Sequence, residues 1–376
     1  MRVAPRRDSP IVMQFADLFS GAGGLSLGFH NAGFEPVVAV EQDHDAAASH
    51  AANFGAVVVQ ADISTVTASA FSGVDIVVGG PPCQGFSRLG QMNGAPNDEQ
   101  NGLWEDYANV VEIAKPIAFV LENVPAFLKS KEFAALKRRL STNANAGCHY
   151  TIGAQVLDAA DFNVPQKRKR AFVIGIRGSQ QPRFPNPLNE IQLPVLDILL
   201  DLKKPKKTKA RFNSTTVSSG WRLHFKRNPT DLSLRRYALI PPGGNRFDLM
   251  DAAPELTPSC WLNKPSGSTD VFGRLRWNEP SVTIRTEFFK PEKGRYLHPD
   301  QDRAITHLEA ALLQGFPFEF KWVGSKSSIA RQIGNAVPPP LAEAVGRTLM
   351  EDLKEMGPTP GNREKSTNEQ TSVYGR

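Results

Sequence analysis

The sequence predicts an α/β protein with a doubly wound, mostly parallel sheet of the Rossmann-like type and a second, smaller domain. From Ile11 to about Arg177, short β-branched runs alternate with helical stretches, which is the pattern of an α/β fold. Segments 57–59 and 118–121 are apolar without alternation, as expected for parallel strands covered by helices on both faces. After Gly178 this rhythm is lost, which predicts a domain boundary near residue 180.

The predicted elements follow from local patterns along the chain. Strands are expected near 11–19, 37–41, 57–61, 74–78, 117–121 and 171–176. Helices are expected from Leu25 onward, over 103–115, over 131–140 and over 341–355. Thr306 and Glu309 have capping-box spacing at the start of a further helix, which Gly315 closes.

The domain organisation follows from these elements and from the chain's size. A chain of 376 residues, 40% hydrophobic and 22% charged, is long enough for one large domain and one smaller one. We expect the larger domain over 11–180, completed by 326–355, and the smaller domain over 181–325. The terminal segments 1–10 and 357–376 are expected to be disordered.

Charge and cysteine usage narrow the class of protein. The formal net charge of +6 is compatible with a polyanionic partner but is weak evidence by itself. Cys83, Cys148 and Cys260 are widely separated, so neither a disulfide framework nor a metal site is expected. The basic N-terminus lacks an apolar core, and no apolar run has the length of a membrane span. We therefore expect a soluble intracellular protein without a membrane partner.

A glycine-rich segment between the first strand and the first helix predicts a ligand site. Residues 17–24 read Asp-Leu-Phe-Ser-Gly-Ala-Gly-Gly, and glycines let a ligand approach the backbone closely. Ser26 occupies the third glycine position of a dinucleotide fingerprint, which disfavours a pyrophosphate ligand. Glu41 and Asp62 end the next two strands and could bind ribose hydroxyls and an adenine amino group. Alone, the glycines could equally form a tight turn.

Cys83 is the candidate nucleophile. The segment Pro81-Pro82-Cys83-Gln84 follows the apolar strand 74–78 and two glycines, so the thiol lies on a tight turn after a central strand. A nearby helix N-terminus and basic residues would favour the thiolate. A lone cysteine is more often a small buried hydrophobic residue than a nucleophile. Other segments of the sequence are therefore needed to distinguish the two roles.

Three later segments complete a pattern: Glu122-Asn123-Val124, Gln166-Lys167-Arg168-Lys169-Arg170 and Gln332-Ile333-Gly334-Asn335. In this order, and together with the glycine-rich loop and the cysteine turn, they resemble the successive motifs of DNA (cytosine-5)-methyltransferases of the bacterial modification type. The resemblance covers roughly 12–177 and 270–350. One departure is Gln100, where many relatives have arginine, and it puts a loop contact in doubt.

The resemblance implies the class I S-adenosylmethionine (SAM)-dependent fold, with SAM as cofactor. Phe19 would lie against the adenosine, and the segment 21–24 would lie beside the methionine portion. The implied cofactor-binding residues are Phe19, Ser20, Gly21, Ala22, Gly23, Gly24, Glu41, Asp62, Ile63, Pro82, Asn335 and Ala336.

The resemblance also implies a covalent mechanism. Cytosine C5 is a weak nucleophile, so the Cys83 thiolate would first add to C6. Glu122 would bind N3 and the exocyclic amine and supply a proton to N3. Arg168 and Arg170, which share one face if the chain is extended there, would fix the cytosine carbonyl and the carboxylate or phosphate. The base that removes the C5 proton is not identified by the sequence.

Double-stranded DNA is the expected partner of a monomeric enzyme in the bacterial cytoplasm, associated with the nucleoid through DNA. The cytosine would be extruded from the helix, and the glycine-containing segment 84–101 resembles the family's mobile loop, with Gln84 and Ser87 on DNA. Further candidates are basic residues with Trp221 and Phe225 between them: Arg222, Arg227, Arg235 and Arg236. The lysine-rich segment 203–211 could equally be a solvated linker.

Two alternatives stay open from the sequence. The same chemistry on RNA is possible, although a long recognition region after Gly178 favours DNA. A DNA-binding relative without catalysis is the second alternative, and the presence of Cys83, Glu122 and both arginines disfavours it.

Overall fold

The computed structural model describes residues 12–82, 102–142, 149–188, 191–263 and 269–356. The strands of its main sheet are β1 Gln14–Leu18, β2 Glu35–Glu41, β3 Val58–Gln60, β4 Ile76–Gly79, β5 Ala118–Asn123, β6 Tyr150–Asp158 and β7 Lys169–Arg177. In the described ranges these seven strands lie in the order β3-β2-β1-β4-β5-β7-β6. Strands β1 to β5 are parallel, and β7 is antiparallel to both of its neighbours. The predicted doubly wound, mostly parallel sheet is confirmed.

Helices cover the sheet and connect it to the second half of the chain. They are α1 Gly24–Asn31, α2 His44–Phe54, α3 Leu103–Ala114, α4 Lys131–Thr142, α5 Leu196–Leu199, α6 Asp231–Ala238, α7 Arg246–Ala252, α8 Ser259–Leu262, α9 His307–Leu313, α10 Lys326–Asn335 and α11 Pro339–Glu355. A two-stranded sheet pairs β8 Val217–Ser218 with β9 Trp322–Val323.

The apolar strands are buried on both faces, which explains their lack of alternation. Ile76 and Val78 point into a core shared with α1 and α11. Val77, between them, points into the opposite core, which contains Tyr107 of α3 and Leu136 of α4. Successive side chains of a strand alternate between faces, so two helical layers demand apolar residues at every position.

The local signals at the helix ends also match the structure. Thr306 accepts a hydrogen bond from the Glu309 backbone N–H while the Glu309 carboxylate accepts one from Thr306, so the capping box is present. Gly315 has φ of +81°, as expected for the residue that ends a helix. The last helix begins at Pro339 rather than 341, because proline is favoured in the first turn.

Strand β6 was not predicted. It is an edge strand with no regular alternation of buried and exposed residues, and it contains Gly153, a residue type that disfavours strands. Its hydrogen bonds to β7 form it, and that pairing is a tertiary effect that no local pattern encodes.

The core of the second half of the chain is continuous with the first half. A cluster that includes Leu275, Leu308 and Trp322 also contains Ala22 and packs against Phe54 of α2. Helices α10 and α11 return to the main sheet, and α11 packs along α1. The division into 11–180 with 326–355 and 181–325 stays a prediction.

The contact between α1 and α11 gives a stability prediction. A Cβ added at Gly28 would lie 2.4 Å from the Ala342 Cβ and 2.6 Å from the Glu343 backbone nitrogen. Alanine is intrinsically better than glycine in a helix by about 1 kcal/mol, but forcing two helices apart costs about 1–3 kcal/mol. Because the overlap involves backbone atoms of α11, its cost should lie in the upper half of that range, and we expect Gly28→Ala to lower the free energy of unfolding by about 1–2 kcal/mol in urea denaturation. His30→Ala, on the exposed face of α1, should change it by less than about 0.5 kcal/mol. An unchanged or raised stability of Gly28→Ala would contradict the close packing.

Candidate active site

A cleft of about 460 Å³ lies at the carboxyl ends of the parallel strands. This is the edge at which ligands bind in doubly wound sheets, and the volume is in the range of small-molecule sites. Predicted site residues that line it are Phe19, Ser20, Gly21, Ala22, Gly24, Glu41, Asp62, Ile63, Pro82, Glu122, Arg168, Arg170, Asn335 and Ala336. Residues from both ends of the chain therefore meet at one site.

Glu41 organises the glycine-rich loop between β1 and α1. The Gly21 backbone N–H donates to its Oε2 at 2.8 Å, and the Asp43 N–H donates to its Oε1 at 2.7 Å. Burial raises the pKa of Glu41, and these backbone donors oppose that effect. Each carboxylate oxygen keeps a second acceptor site, so Glu41 can still accept hydrogen bonds from a ligand in the cleft.

The three glycines of the loop differ in their surroundings. Gly21 has φ of +56°, and a Cβ placed there would meet no atom within 4 Å, so the backbone is open to a ligand. Gly24 packs against the Val337 carbonyl oxygen, which would lie 2.4 Å from a Cβ. Gly23 is the one predicted cofactor-binding residue of the described chain that does not line the cleft, and it packs against the rings of Phe54 and His50.

Asp62 lies two residues beyond β3 and is held by its own turn. Its Oδ1 accepts hydrogen bonds from the Ser64 backbone N–H at 2.9 Å and from the Ser64 hydroxyl at 2.7 Å. These bonds lower the pKa of Asp62 and keep the carboxylate charged. Its second oxygen accepts no hydrogen bond within the described ranges and is available to a donor.

Glu122 and Arg170 form an ion pair in the cleft. Arg170 Nε lies 2.9 Å from Glu122 Oε1, and the two side chains are 16% and 12% exposed. The antiparallel register of β5 and β7 pairs Glu122 with Phe172, which makes Arg170 its diagonal neighbour. Burial raises the pKa of Glu122, and the positive charges of Arg170 and Arg168 oppose that rise. A Cβ added at Gly80 would lie 2.9 Å from Glu122 Oε2, so glycine at this position leaves room for the carboxylate.

Arg168 lies just before β7 and is engaged differently from Arg170. It is buried and donates to the carbonyls of Ile284 at 3.0 Å and Gly334 at 2.8 Å. Its Nε lacks a partner in the part of the chain that the structure describes. Arg168 therefore ties two distant segments to the sheet while one of its donors stays free.

Gln166 reinforces this connection. Its amide oxygen accepts from the Ile284 N–H at 2.9 Å, and its amide nitrogen donates to Gln314 Oε1 at 2.7 Å. Gln314 in turn donates to the Ile333 carbonyl at 2.6 Å. Asn335 and Ala336 lie two and three residues after Ile333, so this network fixes the end of α10 beside the glycine-rich loop.

Sequence patterns did not identify Asp17 as a site residue. It is buried on β1, it lines the cleft, and its Oδ1 has no partner among the described residues. Burial is the main cause that raises its pKa, to about 7. The available signal was an acid near the carboxyl end of the first strand, the same position that drew attention to Glu41 and Asp62.

Cys83, Gln84 and Ser87 lie outside the described residues. Pro81 and Pro82, which lead to Cys83, line the cleft. Asn123 Nδ2 donates to the Pro81 carbonyl at 3.0 Å, so the end of β5 holds the start of that turn.

The predicted DNA-binding arginines lie in the second half of the chain. Arg222, Arg227 and Arg235 are exposed. Arg227 donates to the Phe289 carbonyl, and the half-buried Arg236 donates to that of Leu256. The expectation that Phe225 alternates with these charges on a DNA-facing surface is wrong. Its ring is buried against Phe212 and His307. Removing this apolar ring from water stabilises the fold, which explains its position in the core.

A groove of about 900 Å³ adjoins the cleft at Arg170, which lines both. Lys167, Lys169 and Thr283 line this groove. The lining of this groove is mostly basic beside the Glu122–Arg170 pair, and Asp158 is its one acid among the described residues.

The described ranges contain neither a metal cluster nor a membrane-spanning helix. Within them, no cluster of His, Cys, Asp or Glu side chains has the geometry to hold a metal ion. No helix in those ranges combines the length and the apolar character needed to cross a bilayer.

The sheet order and the cleft at its carboxyl edge are those of the class I methyltransferases. The chain belongs to the family of C-5 cytosine-specific DNA methylases, whose model matches residues 13–351, and it is thus a DNA (cytosine-5-)-methyltransferase.

Individual relatives agree with this assignment. The chain is 32% identical over 346 residues to the type II methyltransferase M1.HphI of Haemophilus parahaemolyticus, covering 90% of this chain and 87% of the relative. It is 33% identical to M.XorII of Xanthomonas oryzae, covering 92% and 86%. A candidate DNA modification methyltransferase encoded within an E. coli prophage superposes with a TM-score of 0.67 at 28% identity, covering 91% of this chain and 99% of that one.

The Glu122–Arg170 pair gives a prediction about stability and pH. Arg170→Met removes a cation that offsets the burial of Glu122, so the pKa of the carboxyl rises further. When a carboxyl has a higher pKa in the folded state than in the unfolded state, the protein loses stability as pH rises through the folded-state pKa. We expect Arg170→Met to lose about 3 kcal/mol near pH 8, and less near pH 4, in urea unfolding.

The double variant Arg170→Met/Glu122→Gln is the control. It carries no ionisable group at position 122, so the part of the loss that varies with pH should disappear. A loss for Arg170→Met that is the same at both pH values would show that the pair does not set the ionisation of Glu122.

Proposed function

We propose that this enzyme transfers a methyl group from SAM to C5 of a cytosine extruded from a specific double-stranded DNA sequence, through a covalent bond between Cys83 and C6. The observation that carries the proposal is a single cleft in which strand-end acids adjoin the Glu122–Arg170 ion pair. A nucleoside cofactor needs the first set of groups, and a pyrimidine ring needs the second.

The groups lining the cofactor end of the cleft fit SAM. Glu41 has acceptor sites for ribose hydroxyls, and Asp62 has a free carboxylate oxygen for the adenine amine. Gly21 leaves the backbone open, and Asp17 presents a buried oxygen that has no partner among the described residues. When bound, SAM supplies the electrophilic methyl group. Phe19, Ile63, Pro82, Asn335 and Ala336 would exclude water around it.

Cys83 starts the reaction by forming a bond from its thiolate sulfur to C6 of the cytosine. Glu122 in its protonated form donates to N3, so that the ring becomes an enamine and does not accumulate negative charge. The raised pKa of Glu122 supports this role, because a carboxyl must hold its proton to deliver it. Electron density then reaches C5, which takes the methyl group.

The later steps return the enzyme to its starting state. The proton on C5 leaves to a base, for which a water molecule suffices. The electron pair of that C–H bond re-forms the C5–C6 double bond and expels the Cys83 thiolate, and N3 returns its proton. Arg170 holds the Glu122 carboxyl and can donate to the cytosine carbonyl oxygen, while the free Nε of Arg168 offers a further donor.

DNA approaches along the basic groove that meets the cleft at Arg170. Lys167 and Lys169 suit phosphate contacts beside the extruded nucleotide, which recover part of the few kcal/mol lost on unstacking. We assign recognition of the sequence to the domain 181–325, with Arg222, Arg227, Arg235 and Arg236 as contacts. Gln84 and Ser87, next to Cys83, complete the contacts to DNA.

The biological setting is also a proposal. The names of M1.HphI and M.XorII describe type II methyltransferases. We propose that this chain is likewise the modification enzyme of a restriction–modification system. Sequencing of methylated cytosines in DNA from a host that expresses the chain would identify the recognition sequence.

The covalent step gives the decisive test. Cys83→Ser should abolish transfer of tritiated methyl groups to duplex DNA, because a serine hydroxyl is rarely ionised near neutral pH, while binding to DNA stays measurable. The wild-type enzyme should form a stable adduct with an oligonucleotide that carries 5-fluorocytosine, which cannot lose a C5 proton.

Cys260→Ser is the matched control, since Cys260 is an exposed free thiol. It should retain transfer and adduct formation. An adduct peptide without residue 83, or turnover by Cys83→Ser, would refute the mechanism. Methyl transfer to tRNA and none to duplex DNA would show that the substrate is RNA.

Glu41 provides a test of the cofactor end. Glu41→Ala removes the acceptor for ribose hydroxyls and also releases the Gly21 N–H, so SAM affinity in calorimetry should fall by about 10- to 100-fold. Glu35→Ala, at the opposite and exposed end of β2, should bind SAM as the wild type does. Equal affinity of the two variants would exclude Glu41 from the cofactor site.

A further inference from the structure

Behind the cofactor end of the cleft, three buried side chains from three elements form a hydrogen-bonded chain. Asp17 is on β1, Ser26 on α1 and His50 on α2. The Ser26 hydroxyl lies 2.6 Å from Asp17 Oδ2 and 3.0 Å from His50 Nε2. None of the three is more than 1% exposed. The catalytic steps above use neither Ser26 nor His50.

The geometry of the chain is fixed by packing. The His50 ring lies against Phe54, with 4.7 Å between ring centroids, and a Cβ at Gly23 would lie 3.0 Å from the same ring. Burial lowers the pKa of His50 to about 4, so the imidazole is neutral near neutral pH. Its Nδ1 lacks a partner among the described residues. The hydrogen bond between Nε2 and Ser26 is therefore the one that connects the imidazole to Asp17.

The other end of the chain faces the cleft. Asp17 Oδ1 is buried and without a partner in the described chain, and Asp17 lines the cleft. Among the described residues, the charge of Glu41 on β2 acts on Asp17, Asp17 in turn acts on Tyr107 of α3, and His50 of α2 is linked to Asp17 through the Ser26 hydroxyl. Glu41 and burial disfavour the Asp17 anion, and the Ser26 hydrogen bond favours it. None of these groups of the described chain is a cation, so a positive charge on a ligand in the cleft would stabilise the Asp17 anion.

The chain has two proton arrangements. When Asp17 is ionised, Ser26 donates to it and His50 Nε2–H donates to Ser26. When Asp17 is protonated, it donates to Ser26, Ser26 donates to His50 Nε2, and the imidazole proton lies on Nδ1. The first arrangement leaves the buried Oδ1 anionic, and a positive charge in the cleft stabilises it.

We propose that Ser26 and His50 are positioning residues that keep Asp17 oriented and ionised, and that Asp17 holds a cationic group of the bound cofactor. This inference rests on the proposed function, in which SAM is the ligand. SAM carries two such groups, an ammonium and a sulfonium.

The proposal sets the sign of a pH dependence. A bound cation favours the Asp17 anion, so binding of the cofactor releases a proton from the fraction of enzyme in which Asp17 is protonated. Affinity should therefore be highest above the pKa of Asp17, at about 7, and should fall as pH decreases through it, by at most about tenfold per pH unit.

Ser26 occupies the position of the third glycine in a dinucleotide fingerprint, where glycine could not supply this hydroxyl.

The test is calorimetric titration of the full-length enzyme with SAM between about pH 6 and about pH 8.5. Wild-type affinity should fall about tenfold at the acid end. Asp17→Asn should bind weakly and lose this dependence, which separates Asp17 from Glu41, since Glu41 is unchanged in that variant. S-adenosylhomocysteine, which lacks the sulfonium, should repeat the wild-type profile if Asp17 holds the ammonium, and only SAM should show it if Asp17 holds the sulfonium.

Variants of the chain test the positioning role. His50→Phe keeps the ring packing but removes the donor to Ser26, so the midpoint of the pH profile should move upward and affinity near pH 7 should fall by about three- to tenfold. His50→Gln, whose amide can donate from a similar position, should restore most of the wild-type profile. Ser49→Ala is the control: it removes a buried serine hydroxyl of α2 that does not belong to this chain of hydrogen bonds. It should lower the free energy of unfolding without moving the midpoint of the pH profile.

The outcomes are distinguishable. Tight SAM binding with no dependence on pH, or an Asp17→Asn variant with the wild-type profile, would overturn this inference and leave the proposed function intact. Coincident profiles for His50→Phe, His50→Gln and the wild type would reject the positioning role. Absence of SAM binding at every pH would overturn the proposed function together with this inference.

Discussion

The active site depends on the burial of carboxyl groups at the carboxyl edge of a parallel sheet. Glu122 loses solvation there, which favours its protonated form, and the charge of Arg170 at 2.9 Å favours the anion. Burial is the larger of the two effects, so the pKa of Glu122 lies above its ordinary value even beside Arg170. A fully exposed carboxylate would stay ionised, and a buried one without a cation would not ionise.

The same constraint shapes the cofactor end of the cleft. The half-buried Glu41 and the buried Asp17 are acids on adjacent strands, and the negative charge of Glu41 raises the pKa of Asp17. Backbone N–H groups satisfy Glu41, whereas Asp17 depends on the hydroxyl of Ser26 and on what binds in the cleft. The site is therefore rich in negative charge at one end and in positive charge at the other, which suits a cationic cofactor beside a polyanionic substrate.

Distant parts of the chain have to be joined for the cleft to exist. Arg168 and Gln166 bind Ile284 and the end of α10 to the start of β7. Hydrogen bonds to two backbone carbonyls, rather than an ion pair with an acid, offset the desolvation of the buried Arg168. Its removal would take these donors away from both carbonyls. This explains why two arginines two residues apart have different surroundings.

The pattern of the sequence predicted the parallel strands, the capping box at Thr306 and the acids at the strand ends, because local periodicity and capping chemistry act over a few residues. The edge strand β6 was not predictable, since pairing with β7 forms it. The burial of Phe225 was not predictable, since charged neighbours in the sequence do not reveal that a ring faces a core. The place of Asp17 in the cleft was likewise not predictable, because its burial and its contact with Ser26 depend on how α1 packs.

The amino-acid sequence by itself determined the order of strands and helices, the motifs that define the family and the residue types available for catalysis. Only the tertiary structure decided which of them meet. The antiparallel register of β5 and β7 brings Arg170 to Glu122, and the packing of α1 and α2 joins Ser26 to His50. Ionisation depends on burial and on charges within a few ångströms, and these are properties of positions in space rather than of positions in the chain.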